Sequence, residues 1–295
     1  LFRSRGRGSV TDQPQARRRR RRSVTVIVSA VLLWLGMCVL LYPMTAGWVS
    51  QLNQSRVVVD YDHVANAGDL IPSAKQQLTD AHAYNDALRS GAVVTSDERI
   101  PQGAGSEAAG WDYQSLLHVD SSGTMGRIRI PSINVDLPIY HGTDDATLLK
   151  GVGHLEGTSL PVGGQGTHAV LTGHRGLASA AMFTDLDKVK VGDTFSISVL
   201  SETLTYRVTS TVVVKPDETE SLRAVAGKDL VTLVTCTPLG INTERILVTG
   251  ERVFPTPVAD VQAAHERPDI PGFPWWAVIF LVGTAAVCVY GWRAS

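Results

Sequence analysis

Val231-Thr232-Leu233-Val234-Thr235-Cys236-Thr237-Pro238 reads as a buried β-strand that ends on a thiol. A short apolar and β-branched run bounded by a breaker fits a strand better than a helix. Pro238 has no backbone donor and stops the ladder. Working outward, the same pattern recurs. Arg127-Ile128-Arg129-Ile130 alternates, as do Val135, Leu137 and Ile139. Residues 194–199 form a period-two run, and Leu204, Tyr206 and Val208 follow, then Val212 and Val214. Residues 245–253 complete the set, with Gly, Pro, Asp and Asn in the gaps. Short strands punctuated this way predict a mainly β domain over residues 125–254, an antiparallel barrel or sandwich. A short helix is expected over 178–186.

The two ends of the chain differ from this centre. Residues 1–22 hold nine arginines against Asp12, a net charge of +8, and the remainder carries 18 basic and 27 acidic residues, a net −9. A basic tail is one signature of nucleic-acid binding. Here it abuts residues 23–55, which carry no charge. The segment 23–49 is long and apolar enough to span a bilayer, and arginines against one end of a span hold that end in the cytoplasm. The tail is therefore read as a topology signal, with no nucleic-acid partner. A cleaved signal peptide would have a shorter apolar run ending at small residues, whereas Tyr42, Pro43 and Trp48 stand here. Residues 273–292 predict a second span, with Trp275 and Trp276 at one edge, Tyr290 and Trp292 at the other, and Arg293 beyond. Both termini are then cytoplasmic and the centre lies outside. Residues 50–124 divide into a helical stretch, where Leu70, Ala74, Leu78, Ala81, Tyr84 and Leu88 recur at helical spacing, and a Gly/Ser/Asp-rich loop or lid over 95–124. Residues 255–272, punctuated by prolines, form a linker.

Of three cysteines, Cys38 and Cys288 fall inside the expected spans. Cys236 is left as the sole thiol of the central domain, without a disulfide partner there. A buried, inert cysteine is the plain alternative. A reactive thiol needs a proton acceptor or charge partner. Of eight histidines, His141, His154, His168 and His174 lie among the strands. His174 stands in Leu171-Thr172-Gly173-His174-Arg175-Gly176, a glycine-bracketed turn after a strand that lets the imidazole project into a groove. Acyl transfer also needs a donor for the oxyanion. Arg245, in Asn242-Thr243-Glu244-Arg245, opens the strand after the Cys236 strand, and a short antiparallel connection brings their facing ends together. A lone arginine is otherwise a solvated surface group.

Three motifs in this order resemble the sortase family: Thr232-Leu233-Val234-Thr235-Cys236 its signature strand, Leu171 to Gly176 its histidine motif, and Asn242 to Arg245 its arginine motif. The likeness runs over residues 125–253 and includes Leu137-Pro138-Ile139-Tyr140-His141-Gly142. It implies a closed eight-stranded β-barrel with short helices. It also implies Cys236 as nucleophile, His174 as acid/base and Arg245 as oxyanion or substrate clamp, with Thr235 and Thr172 as groove candidates. No metal motif appears and no cofactor is implied.

The extended segment before the barrel and the second span resemble class C, pilin-polymerising sortases. In that class the lid often carries Asp-Pro-aromatic. No such tripeptide precedes the barrel, and Trp111-Asp112-Tyr113 is the nearest candidate, with Trp111 and Asp112 as candidates to cover the groove and a loop aromatic that merely packs on the barrel as the alternative. The resemblance implies cleavage of an LPxTG-like signal between Thr and Gly through a thioester, then transfer to an amine. The partners implied are LPxTG-bearing surface proteins or pilins, and an acceptor that is a pilin lysine or a peptidoglycan cross-bridge. A housekeeping-type sortase, a hydrolytic cysteine peptidase and a non-enzymatic adhesin are the alternatives.

Overall fold

The computed structural model describes residues 24–68, 70–88, 111–119, 122–177 and 180–294. Two compact units are distinguished, one of Leu1–Tyr42 with Trp275–Ser295, the other of Pro43–Pro274.

The second unit is built on eight strands: β1 (Thr124–Ile130), β2 (Val135–His141), β3 (Val152–His154), β4 (Thr167–Thr172), β5 (Thr194–Val199), β6 (Glu202–Val214), β7 (Asp229–Thr237) and β8 (Glu244–Val253). They close into a barrel in the order β1-β2-β3-β4-β7-β8-β6-β5. The barrel is not wholly antiparallel as the strand spacing suggests: β2 runs parallel to β3, and β4 parallel to β7. Parallel neighbours need long crossovers. The chain supplies one for β4–β7 by routing through β5 and β6. Alternation along each strand sends Ala169, Leu171, Val231, Leu233, Ile246 and Val248 into the main core.

Helix α1 (Val24–Asn66) runs as one helix where the sequence suggests a span and a separate membrane-proximal stretch. Its Val58, Tyr61 and Ala65 are buried, and the Tyr61 hydroxyl donates to Met125 O and accepts from Leu200 N. Helix α2 (Ala74–Ala87) starts later than its apolar spacing implies, because the Ser73 side chain caps it by accepting from Gln76 N. Arg127, almost wholly buried, pairs with Asp136 on β2 and Asp62 on α1. It also donates to the carbonyls of Ala264 and Glu266, at the end of α4 (Val258–Ala264). One guanidinium thus ties both flanking segments to the barrel.

The helix expected over 178–186 is absent from residues 180–186, which form turns leading into a 3-10 turn at Leu186–Lys188. Met182 sits in the left-handed region, which is incompatible with a regular helix there.

In the first unit, the start of α1 packs against α5 (Trp275–Arg293). Trp34 Nε1 donates to Thr284 Oγ1, and a side chain at Gly283 would collide with Met37. Both helices are long and apolar enough to cross a membrane.

Candidate active site

Three strand ends meet at one corner of the barrel. The parallel β4–β7 ladder pairs Val170 with Thr232 and Thr172 with Val234, and Gly173 N donates to Val234 O at 3.0 Å. Continued by two residues, this register would bring His174 level with Cys236. On the other side, the antiparallel β7–β8 ladder pairs Cys236 directly with Arg245. Residues paired across a sheet share a face. Cys236 and Arg245 therefore share the outer face, opposite the main core, and His174 follows two residues after Thr172, which lies on that same face. The next rows are Thr172, Val234 and Leu247, then Val170, Thr232 and Thr249. Val170, Val234 and Leu247 join Leu155 and Leu222 in a second apolar cluster, separate from the main core, that floors this face.

Glycine is required twice at the histidine turn. A Cβ on Gly173 would meet the Phe183 ring at 2.7 Å, and Gly176, at φ +75°, faces the Leu239 side chain too closely for any larger residue. The β7–β8 turn that carries Leu239 is thereby seated against the histidine turn.

Electrostatics of the row follow from burial. Cys236 is 8 % exposed, and burial pushes its thiol pKa up while the Arg245 charge pulls it down. Burial lowers the His174 pKa, and the carboxylate of Asp145, in α3 (Asp145–Leu148), acts the other way. Burial also lowers the Arg245 pKa, against the pull of Cys236. The Arg245 Nη1 donates to the carbonyls of Asn242 and Glu244, both at 2.9 Å, which fixes the guanidinium at the mouth of β8.

The remaining candidates are placed as follows. Thr172 lies on the outer face one row from His174, and its Oγ1 is buried without a hydrogen-bond partner among the described residues. So is Asn242 Oδ1, in the β7–β8 turn. Thr235 lies on the inner face of β7, not in the groove, and its hydroxyl donates to Gly173 O at 2.7 Å, steadying the turn from behind. Trp111 packs against the main core, and Asp112 accepts from Gln114 N. Tyr113 is buried, with its hydroxyl 2.8 Å from His154 Nδ1 and accepting from Gly142 N. His154 pairs with Leu171, a core residue, so this seat is on the inner face of the sheet. The contacts of Trp111-Asp112-Tyr113 anchor the entry to the barrel rather than a plug over the outer-face row. Residues 95–110 and 120–121 of the expected lid lie outside the described residues. His168 shares the outer face but is committed to Thr232 Oγ1 and Arg223 O. The sequence reading missed Asp145 and the Tyr113–His154 pair. No local pattern marks either, since both depend on strand pairing.

Comparison with known proteins agrees with this geometry. The sortase-domain family model matches residues 128–253. The chain is 51% identical to the crystal structure of sortase C-1 from Actinomyces oris, with a TM-score of 0.56, covering 61% of this chain and 99% of that one. It is 46% identical to sortase C1 from Streptococcus agalactiae, with a TM-score of 0.59, covering 67% and 98%. Among curated sequences, sortase A of Bacillus anthracis is 32% identical over 135 residues, 46% of this chain, and the chain spans 62% of that relative's length. Barrel, motif order and near-complete coverage of solved class C structures together establish that the chain belongs to the sortase family.

Proposed function

We propose that this protein is a membrane-anchored cysteine transpeptidase that cleaves an LPxTG-like sorting signal between Thr and Gly and joins the Thr carbonyl to an amine. The observation that carries this reading is the ladder pairing of Cys236 with Arg245 on the outer face, next to the parallel β4–β7 register whose continuation leads to His174.

In the proposed cycle the Cys236 thiolate attacks the Thr carbonyl. Arg245 stabilises the oxyanion that forms. Collapse breaks the Thr–Gly bond, and His174 protonates the departing glycine amine. The resulting thioester is attacked by an incoming amine, which gives up its proton to His174. An amide forms and the Cys236 thiolate leaves. The buried apolar cluster of Val170, Val234 and Leu247 backs the site rigidly from below. Thr172 Oγ1 and Asn242 Oδ1, buried polar atoms without partners among the described residues, suit the peptide groups of the signal.

A pilin lysine is the acceptor we assign. The two solved relatives of highest identity named for this chain are class C sortases, and the crystal structure of Streptococcus pneumoniae sortase C, 37% identical, bears on pilin substrate specificity. The arginine-rich tail and the two spans support both termini in the cytoplasm with residues 50–269 outside, acting on pilins or other LPxTG-bearing surface proteins.

Incubating the full chain in detergent with sorting peptides, with and without a lysine-bearing pilin peptide, and weighing the products tests the proposal. A peptide cut after Thr and joined to the lysine is expected. Hydrolysis that is indifferent to added amine would make the protein a peptidase instead. Transfer to a peptidoglycan cross-bridge peptide in preference to lysine would make it a housekeeping-type sortase.

A further inference from the structure

We propose that Arg175 is a positioning residue that fixes the separation of His174 from Cys236. The inference rests on the assignment of those two residues to the chemistry above.

The backbone leaves the pair loosely held. The last ladder bond between β4 and β7 is Gly173 N to Val234 O, one residue short of the pair. Behind the pair, Thr235 Oγ1 donates to Gly173 O. Ahead of it, Arg175 Nη1 donates to Thr237 Oγ1 at 2.8 Å. Residues 173 and 175 flank the base, and residues 235 and 237 flank the thiol. The two side-chain bonds thus bracket the pair from both sides, and the forward one depends on Arg175 alone.

Arg175 is itself held in place. Its side chain is 8 % exposed, its Nε donates to Thr184 O at 3.0 Å, and its Nη2 meets Asp187 Oδ2 at 2.8 Å. Gly176 N donates to Thr184 Oγ1, and Phe183 N to His174 O. The guanidinium therefore reaches three acceptors in three directions. Only a planar fork can do this, and a lysine ammonium on a flexible stem cannot. Asp187 is half exposed, so its ion pair adds little. The bond to Thr237 is the one that crosses to the strand of the nucleophile. Displacing a catalytic group by about 1 Å costs on the order of 100-fold in rate.

The test uses the full chain in detergent and reads three quantities: kcat and KM for sorting-peptide cleavage, the pH profile of Cys236 alkylation, and the thermal midpoint. Arg175→Ala is expected to lower kcat about 100-fold, with KM within about twofold of wild type. Its alkylation should slow at near-neutral pH, because the minor thiolate–imidazolium form is lost, while the alkaline midpoint set by Cys236 stays in place. Thr237→Val removes only the acceptor on β7 and should show the same two changes to a smaller degree with an unchanged thermal midpoint. Arg175→Lys should recover the midpoint of Arg175→Ala without recovering kcat. The double variant Arg175→Ala/Thr237→Val should be no slower than Arg175→Ala. Wild-type kcat and alkylation in Thr237→Val overturn the inference, as does a kcat loss that merely tracks the unfolded fraction. Cys236→Ala serves as the control. If it still cleaves, the assignment of the site is what fails; if it is dead while Thr237→Val is wild type, only the role of Arg175 fails.

Discussion

Two histidines on neighbouring strands have been given opposite tasks. His154, on β3, is fully buried on the inner face. Its Nε2 donates to Ser159 O at 2.9 Å, its Nδ1 lies 2.8 Å from the Tyr113 hydroxyl, and the two rings stack. Burial holds its pKa down to about 4, so it stays neutral across the physiological range. His174, just past β4, is half buried on the outer face, and its ring has no hydrogen-bond partner among the described residues. Its pKa is lowered by burial but drawn back by Asp145. A ring with both nitrogens engaged is a structural element. A ring at a strand end with its nitrogens uncommitted is available to carry protons.

The comparison breaks most visibly at the row itself. Cys236→Ala should abolish the thioester, and His174→Ala should do nearly as much, each with a folded barrel by circular dichroism. His154→Ala should instead lower the thermal midpoint. A variant of His154 that folds normally but loses thioester formation, seen by mass, would erase the distinction. Arg245→Ala should cost about 2.7–4 kcal/mol in the barrier if it acts as an oxyanion donor, and Arg245→Lys should not fully restore the rate. Steady-state kinetics with a sorting peptide measures both.

On the inner face, Tyr113→Phe leaves Gly142 N and His154 Nδ1 without their partner. It should cost about 1–3 kcal/mol of stability in denaturant titration while leaving kcat near wild type.

The pH profile sharpens the outer-face half. The productive form pairs a thiolate with an imidazolium. Burial lowers the His174 pKa and raises that of Cys236, so kcat/KM should follow a broad bell. Its acid limb belongs to His174 and its alkaline limb to Cys236. Between them only a minor fraction of molecules holds both charges. Asp145→Asn removes a charge that favours the imidazolium. The acid limb should move to lower pH and the plateau should fall; an unchanged profile would remove Asp145 from the site.

The smallest effect is expected at Thr172. Replacing its unpartnered hydroxyl by Thr172→Val should leave the resting protein as stable or slightly more so. If the hydroxyl bonds substrate, KM should rise, and an unchanged KM would make Thr172 part of the floor only.

Strand alternation made much of the barrel legible: 128–130, 135–139, 194–199, 230–236 and 245–253 all lie in observed strands. β3 escaped notice because Val152-Gly153-His154 is too short to show a period. The long β6 was read as separate pieces because its far half is exposed on both sides and loses the alternation that burial imposes. The short helix over 178–186 gives way to turns, with Met182 in the left-handed region and Phe183 N donating to His174 O at 3.0 Å.

The sequence by itself determined which residue types stand at strand ends, a thiol before a proline, an imidazole between glycines, an arginine opening a strand. It also determined the two apolar, uncharged segments able to cross a membrane. Those are properties of neighbours along the chain. It brought the ends of the Cys236 and Arg245 strands together, because a short antiparallel connection leaves little choice of neighbour, while the direct pairing of the two residues came from the observed register. Only the tertiary structure decided that the strand leading to His174 lies against the Cys236 strand. That requires β4 to run parallel beside β7 across a crossover of two intervening strands. Parallel pairing is chosen by packing of both faces, not by any local turn. The same register turned Thr172 outward and Thr235 inward, since one residue along a strand reverses the face.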